Sequence, residues 1–119
     1  MPRASSGRVY LVDLEAGRPT ADAAIKKLGQ ALCSAKAGGC LAVRAIHGYG
    51  SSGVGGAIRS AVHRELAARK RAGRIKEFVR GEDFSPFDAA SRRMLDACPE
   101  LAGDSDLARA NHGITIILI

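Results

Sequence analysis

Residues 46–56 read IHGYGSSGVGG and join an apolar run, residues 41–46, to a helix-like run, residues 57–71. The first run is typical of a short strand, and the second repeats apolar residues at helical spacing. The first backbone N–H groups of a helix have no partner within it, and glycine lets a phosphate approach them closely. The stretch therefore predicts a strand, a turn and a helix, with an anion site at residues 48–56.

Two familiar phosphate-binding motifs are excluded by neighbouring residues. Residues 48–53 match G-x-G-x-x-G, but the acidic residue expected about 20 positions later is missing, and Gly73 stands near that place. The same stretch has Walker A spacing, yet Val54-Gly55 replaces the required Lys-Ser/Thr pair. We therefore expect neither a dinucleotide-binding fold nor a nucleoside triphosphatase.

Strand-like and helix-like segments alternate along the rest of the chain. Thr20 is a good N-cap for a first helix, which ends at Gly38. Ser85 is the expected N-cap of a third helix, which Pro99 stops. Apolar runs predict strands at residues 9–14, 41–46, 75–79 and 114–119. The order β-α-β-α-β-α-β predicts an α/β domain with helices packed against a small mixed sheet.

Charge is unevenly distributed over the 119 residues, whose formal net charge is +6. Residues 55–80 carry eight Lys/Arg and two Asp/Glu, whereas residues 81–112 carry three and seven. The length fits one domain, 1–119, in which residues 81–112 form an acidic insert with an extra helix packed by Phe84, Phe87 and Met94. The basic excess is a weak sign of a polyanionic partner, because solvated basic faces are common.

The sequence gives no sign of export or of membrane insertion. The first eight residues, MPRASSGR, lack the apolar run of a signal peptide, and no segment approaches a span of about 20 apolar residues. The three cysteines form no CxxC pair, so we expect neither a disulfide framework nor a cysteine zinc site. We expect a cytoplasmic monomer with no membrane partner.

His47 is the first candidate for chemistry, because it directly precedes the glycines. Imidazole can move protons during phosphodiester cleavage, although a histidine here can also cap the end of a strand. Asp13 and Glu15 end the first strand two positions apart, so they leave on one face, where they could hold a divalent metal or orient a water. The alternative for this pair is a solvated strand terminus. Three isolated histidines do not predict a zinc site.

Basic side chains follow the turn on the predicted second helix. Arg59 and His63 share one side of this helix next to the anion site, so we expect both to contact backbone phosphates. Tyr49, within the polar turn, would stack on a base or fold back over the turn. His112 precedes the last strand and would approach His47 if those two strands are neighbours.

Four of these stretches together resemble the Smr (small MutS-related) domain family. Residues 46–50, IHGYG, match its HGxG motif, and residues 57–62, AIRSAV, match the Leu-Arg-x-x-Val helix that follows. Residues 12–14, VDL, match its LDLH element, and residues 113–116, GITI, resemble its terminal G-x-T strand.

The resemblance covers residues 9–80 and 113–119, and it has departures. Glu15 stands where the family has a histidine after LDL, and Asn111-His112 replaces a double glycine. The resemblance implies a two-layer α/β sandwich like the C-terminal domain of translation initiation factor 3. It also implies nucleic-acid binding and, in several members, nicking of DNA or cleavage of RNA.

The leading hypothesis is an Smr-type domain that binds structured DNA or RNA and cleaves phosphodiesters. The catalytic residues would be His47, Asp13 and Glu15, with a divalent metal as the one cofactor considered. The binding residues would be Gly48, Tyr49, Gly50, Ser51, Ser52, Gly53, Gly55, Gly56, Arg59 and His63. One alternative is a non-catalytic nucleic-acid-binding module in DNA repair, recombination or RNA quality control. Another is a binder of small phosphate ligands.

Overall fold

The computed structural model describes residues 9–48 and 54–119. Its main elements are β1 (Val9–Asp13), α1 (Ala21–Ala37), β2 (Ala42–Ile46), α2 (Val54–Arg71), β3 (Glu77–Arg80), α3 (Ala89–Ala97) and β4 (Ile114–Leu118). Short 3-10 turns, Gly81–Asp83 and Pro99–Gly103, flank α3. The predicted order of strands and helices is confirmed. Within the described residues, no helix is long and apolar enough to cross a membrane.

The four strands form one mixed sheet in the order β1-β2-β4-β3. β1 and β2 are parallel, with α1 as their crossover, and β4 is antiparallel to both of its neighbours. Ile46 lies opposite both Asp13 and Ile114, and Arg80 lies opposite Thr115. The last residues of β1, β2 and β3 therefore meet the first residues of β4 at one end of the sheet.

α1 and α2 pack against one face of the sheet. Leu28 of α1 and Val62 and Leu66 of α2 are buried together with Val43 and Ile117 of the sheet. Burying one such side chain stabilises the fold by about 1.5–3 kcal/mol. This packing buries the apolar residues that repeat at helical spacing in α2, as the sequence predicts, and holds the start of α2 near the end of β2.

The insert, residues 81–112, covers the opposite face of the sheet. Phe84, Met94 and Leu101 are buried against Ile116 and Leu118. Every residue of β4 is buried, because the strand is covered on both faces. The predicted α/β class with a small mixed sheet is confirmed. The insert adds a layer on the face that a two-layer sandwich leaves open.

Part of the acidic charge of the insert attaches it to the sheet. Arg44 of β2 pairs with Asp106 and, at 3.2 Å, with Asp104. The side-chain amide of Asn111 donates to Asp106 at 3.0 Å. These two carboxylates are therefore used within the fold, and they need no partner outside it.

Helix α2 starts earlier than the sequence predicts. It begins at Val54 rather than at residue 57, so Gly55 and Gly56 belong to its first turn and not to the preceding turn. Once Ile58 is packed, extending the helix backward costs little, because nucleation is the expensive step.

Helix α3 starts later than the sequence predicts. Asp88, and not Ser85, is its N-cap, because the Asp88 carboxylate accepts the Ser91 backbone N–H at 2.9 Å. Phe87 consequently precedes the helix and is 92% exposed, so the packing role predicted for it is wrong. Phe84 and Met94 are buried as predicted.

Candidate nucleic-acid interface

β2 ends at a firmly held junction with β4. The backbone N–H groups of His47 and Gly48 both donate to the Gly113 carbonyl, at 2.9 and 3.1 Å. Gly48 has φ +78°, a left-handed conformation that glycine adopts without the steric penalty other residues meet. We name His47, Gly48 and Gly113 the β2–β4 junction. It fixes the point at which the chain leaves β2 toward α2.

His47 is fully buried, and both of its ring nitrogens are bonded within the protein. Nδ1 lies 3.0 Å from the Gly48 carbonyl oxygen, and Nε2 lies 2.8 Å from the Thr115 hydroxyl. A carbonyl oxygen only accepts, so Nδ1 carries the proton. In the neutral ring Nε2 is then the acceptor, and the Thr115 hydroxyl donates to it.

His63 of α2 extends this hydrogen-bonded chain. Its Nε2 lies 3.1 Å from the Thr115 hydroxyl oxygen, and its ring meets the His47 ring edge-on with centroids 5.5 Å apart. Because the hydroxyl proton of Thr115 points to His47, Nε2 of His63 must donate to the Thr115 oxygen. We name this series, from His63 through Thr115 and His47 to Gly48, the histidine–threonine chain. All of its hydrogen bonds run in one direction.

Protonation of the two histidines agrees with this direction. Burial lowers the pKa of His47, and the bond to the Gly48 carbonyl offsets only part of that effect. Burial first, and then the nearby His47, Arg80 and Arg59, lower the pKa of His63 to about 4. Both rings are therefore neutral near pH 7. A neutral His63 brings no positive charge to a phosphate, unlike the contact that the sequence predicts.

We expect the free energy of unfolding to fall as the pH drops below about 6.5. In the unfolded chain both histidines bind protons near their ordinary pKa of 6.5. In the folded chain the pKa of His47 is lowered, and the pKa of His63 is lowered to about 4. The unfolded state thus holds more protons, so stability is present above pH 6.5 and is lost progressively toward pH 4. Urea midpoints between pH 7 and pH 5 measure this, and His63→Gln should reduce the slope. A wild-type midpoint that stays constant over this range would contradict it.

Arg59, one helical turn before His63, is paired with the insert. Its guanidinium pairs with Glu82 and donates to the His112 carbonyl at 3.2 Å. The second carboxylate oxygen of Glu82 is buried, and no group of the described chain bonds to it. Arg59, which the sequence analysis predicts to contact a phosphate, is therefore paired with a carboxylate of the insert. Nδ1 of His112 lies 3.8 Å from Glu82, and among the described contacts none joins His112 to His47.

Arg80 is a further cation beside His63, and the sequence interpretation missed it. It ends β3, lies opposite Thr115 in the register and is exposed. Its charge is one of the causes that lower the pKa of His63, so the two side chains are close enough to interact. Within residues 9–48 and 54–119, no carboxylate forms an ion pair with Arg80.

Asp13 and Glu15 take different positions at the end of β1. Asp13 Oδ1 accepts the backbone N–H groups of Glu15 and Ala16, at 2.9 and 3.1 Å, and so closes the turn. The Glu15 carboxyl group lies against Gly48, where an added Cβ would fall 2.6 Å from the carboxyl carbon. Glu15 therefore reaches the β2–β4 junction, while Asp13 shapes the turn behind it.

The described residues supply no ligand cluster for a divalent metal. No three His, Cys, Asp or Glu side chains of residues 9–48 and 54–119 are placed to hold a metal ion. Tyr49, Gly50, Ser51, Ser52 and Gly53, predicted as binding residues, lie outside the described residues.

The structure brings several predicted residues together and adds others. His47, Gly48, Glu15 and His63 meet around the β2–β4 junction, and Arg59 lies one turn before His63. Three residues here were not predicted as site residues: Thr115, Glu82 and Arg80. The G-x-T pattern at residues 113–115 is a sequence signal for Thr115, whereas Glu82 and Arg80 have no such signal.

Comparison with known proteins places this arrangement in a family. The mixed sheet and the β2–β4 junction define an α/β domain with a buried histidine between sheet and helix. The sequence profile of the Smr domain matches residues 13–83, and the chain belongs to the Smr domain family. Among solved structures it is similar to the Smr domain of Thermus thermophilus MutS2, at 27% identity and a TM-score of 0.55 over 92% of this chain and 95% of that one. No curated protein matches the chain.

Proposed function

We propose that this domain binds nucleic acid through backbone phosphates, where the chain passes from the β2–β4 junction into α2. The observation that supports it is an Smr fold in which Gly48 takes a left-handed turn and α2 starts at Val54. The first N–H groups of a helix are unpaired within it and attract anions. No acidic residue stands in the first turn of α2 to compete for them.

The charge distribution favours an approach from the helical side. Residues 55–80, with eight Lys/Arg and two Asp/Glu, carry a net charge of +6 and include α2 and β3. The insert, with three Lys/Arg and seven Asp/Glu, carries −4 and covers the other face of the sheet. A polyanion is attracted to the first surface and repelled by the second. Binding of this kind is largely independent of sequence and strongly weakened by salt.

In this proposal His47 has a structural role: it holds the β2–β4 junction in place. Its Nδ1–H holds the Gly48 carbonyl, and its Nε2 is held by Thr115. A fully buried ring with both nitrogens bonded shapes the junction from behind. The backbone in front of it, together with Arg80, is then left to contact the phosphates.

Cleavage of the bound phosphodiester is a second candidate function, and the position of Glu15 favours it. Glu15 is exposed, and its carboxyl group lies against Gly48, next to the proposed phosphate. In this version Glu15 takes the proton from an attacking hydroxyl or water, as a general base. The domain would then be a nicking endonuclease on structured DNA or RNA. Without this step it is a non-catalytic module.

A panel of labelled DNA and RNA duplexes, hairpins and single strands, with and without Mg²⁺, tests both versions. We expect saturable binding to wild type. If the domain cleaves, Glu15→Gln should keep binding and lower turnover by about 10²–10⁴-fold. Binding without cleavage by any preparation would leave the non-catalytic module. Failure to bind any nucleic acid would overturn the proposal and favour a small phosphate ligand.

Arg80→Gln should weaken nucleic-acid binding several-fold. Removing one phosphate contact should also lower the log–log salt slope by about 0.9 for duplex DNA. Arg92→Gln is the matched control, because Arg92 is also exposed but belongs to the insert. Fluorescence polarisation over a salt series measures both variants. Equal losses in the two variants would mean that only net charge matters, and they would contradict a contact at Arg80.

A further inference from the structure

The histidine–threonine chain leaves one hydrogen-bonding position open. His63 donates its Nε2–H to Thr115, so the neutral ring carries a lone pair on Nδ1. Within the described part of the chain no group bonds to this nitrogen. His63 is only half-buried, and it lies on α2 beyond the proposed phosphate site. The ring thus offers an acceptor, and not a donor, to a bound molecule.

An acceptor at this position discriminates between the groups of a nucleic-acid backbone. Phosphate and ring oxygens of the backbone are themselves acceptors, so they gain nothing from the lone pair of Nδ1. The ribose 2′-hydroxyl is the backbone group that donates, and it is the group that DNA lacks. The Arg80 guanidinium lies near His63, has no carboxylate partner among the described residues, and would hold a flanking phosphate.

We infer that His63 determines specificity for RNA by accepting a hydrogen bond from a ribose 2′-hydroxyl. The inference rests on the proposed function and adds the class of nucleic acid. Thr115 and His47 act through His63. The Thr115 hydroxyl donates its proton to His47, so its oxygen accepts the Nε2–H of His63, and this bond fixes the tautomer of His63. One neutral hydrogen bond contributes about 0.5–1.5 kcal/mol, which corresponds to a preference of roughly 2- to 13-fold per nucleotide contacted.

Three single strands of one sequence test this: RNA, DNA and 2′-O-methyl RNA. The methyl ether removes the donor but keeps the sugar conformation of RNA, so it separates the hydrogen bond from strand shape. We expect wild type to bind RNA several-fold more tightly than the other two strands. His63→Phe, which keeps a ring but has no acceptor, should bind RNA and 2′-O-methyl RNA alike, whereas Arg92→Gln should keep the preference for RNA.

Two results would overturn the inference. One is equal affinity of wild type for the three strands, which needs no variant to fold. The other is a preference for RNA over 2′-O-methyl RNA that survives in His63→Phe. Imidazole ¹⁵N spectra of free wild type add an independent readout, since Nδ1 of His63 must be unprotonated. Failure to bind any of the three strands is distinguishable from these results, because it overturns the proposed function and this inference with it.

Discussion

Thr115→Val is expected to lower the free energy of unfolding by about 2–4 kcal/mol, although the two side chains have nearly the same volume. Thr115 is fully buried, and its hydroxyl bonds Nε2 of His47 at 2.8 Å and Nε2 of His63 at 3.1 Å. Valine leaves one acceptor and one donor buried without a partner, and each costs about 1–3 kcal/mol. Urea denaturation followed by circular dichroism measures the loss.

Thr115→Ser is the matched control for this variant. Serine keeps the hydroxyl and loses one methyl group, so it should cost only about 1 kcal/mol. In the ¹⁵N spectrum, Nδ1 of His47 should stay protonated in both variants because the Gly48 carbonyl sets the tautomer, whereas the Nε2 signal should shift in the valine variant, where it loses its donor. A valine variant as stable as wild type, beside a destabilised serine variant, would mean that methyl packing matters at this position and the hydroxyl does not.

Gly48→Ala is expected to weaken nucleic-acid binding by at least tenfold, about 1.4 kcal/mol. Gly48 has φ +78°, and the new Cβ would lie 2.6 Å from the Glu15 carboxyl carbon. Either Glu15 or the β2–β4 junction must then move, and the Gly48 carbonyl is the group that His47 holds. The change therefore strains the backbone from which the proposed phosphate site is built and drives the exposed Glu15 carboxylate from its place beside that backbone. Titration of a labelled oligonucleotide measures the effect.

Gly39→Ala separates backbone strain from this contact. Gly39 has φ +79°, almost the same as Gly48, but an added Cβ there meets nothing within 4 Å. Both variants should lose about 1–2 kcal/mol of stability through the left-handed conformation. Only Gly48→Ala should lose binding, and removing the Glu15 side chain in the same protein should restore part of it. Equal binding by both alanine variants would refute the role of the junction.

Local signals in the sequence were sufficient for the order of elements. Thr20 accepts the Ala23 backbone N–H at 3.1 Å, as an N-cap must, and the stripe on α2 is buried. Boundaries were less predictable where two residues compete for one role. Ser85 and Asp88 are both good N-cap residues. Asp88 takes this position because its carboxylate also accepts a hydrogen bond from the Ser91 hydroxyl, at 2.9 Å.

The layer formed by the insert could have been anticipated from β4 alone. Its sequence, ITIIL, does not alternate, and a strand that is apolar on both sides is typical of one covered on both faces. The net charge of the insert, −4, does not by itself indicate this layer. The pairing of Arg44 with Asp104 and Asp106 depends on long-range packing, for which the sequence has no local signal.

The position of His47 at the site was predictable from the sequence, but the bonding of its ring nitrogens was not. The HGxG motif identifies His47, but its burial depends on the pairing of β2 with β4, and Thr115 is 68 positions away in the chain. The sequence suggests a proton-transfer group, whereas the structure shows a ring with both nitrogens bonded. Similarly, Arg59 is basic in the sequence, and its partner Glu82 comes from the insert.

A ¹H–¹⁵N correlation titration of the intact chain with a short oligoribonucleotide tests the central claim most directly. If nucleic acid binds where the β2–β4 junction passes into α2, the largest and saturable shifts should fall on Gly48, on the first turn of α2 and on Arg80. Resonances of α3 and of the rest of the insert should move little, since the insert is acidic and covers the other face of the sheet. Shifts confined to the insert, or no saturable shift at any residue, would contradict the account.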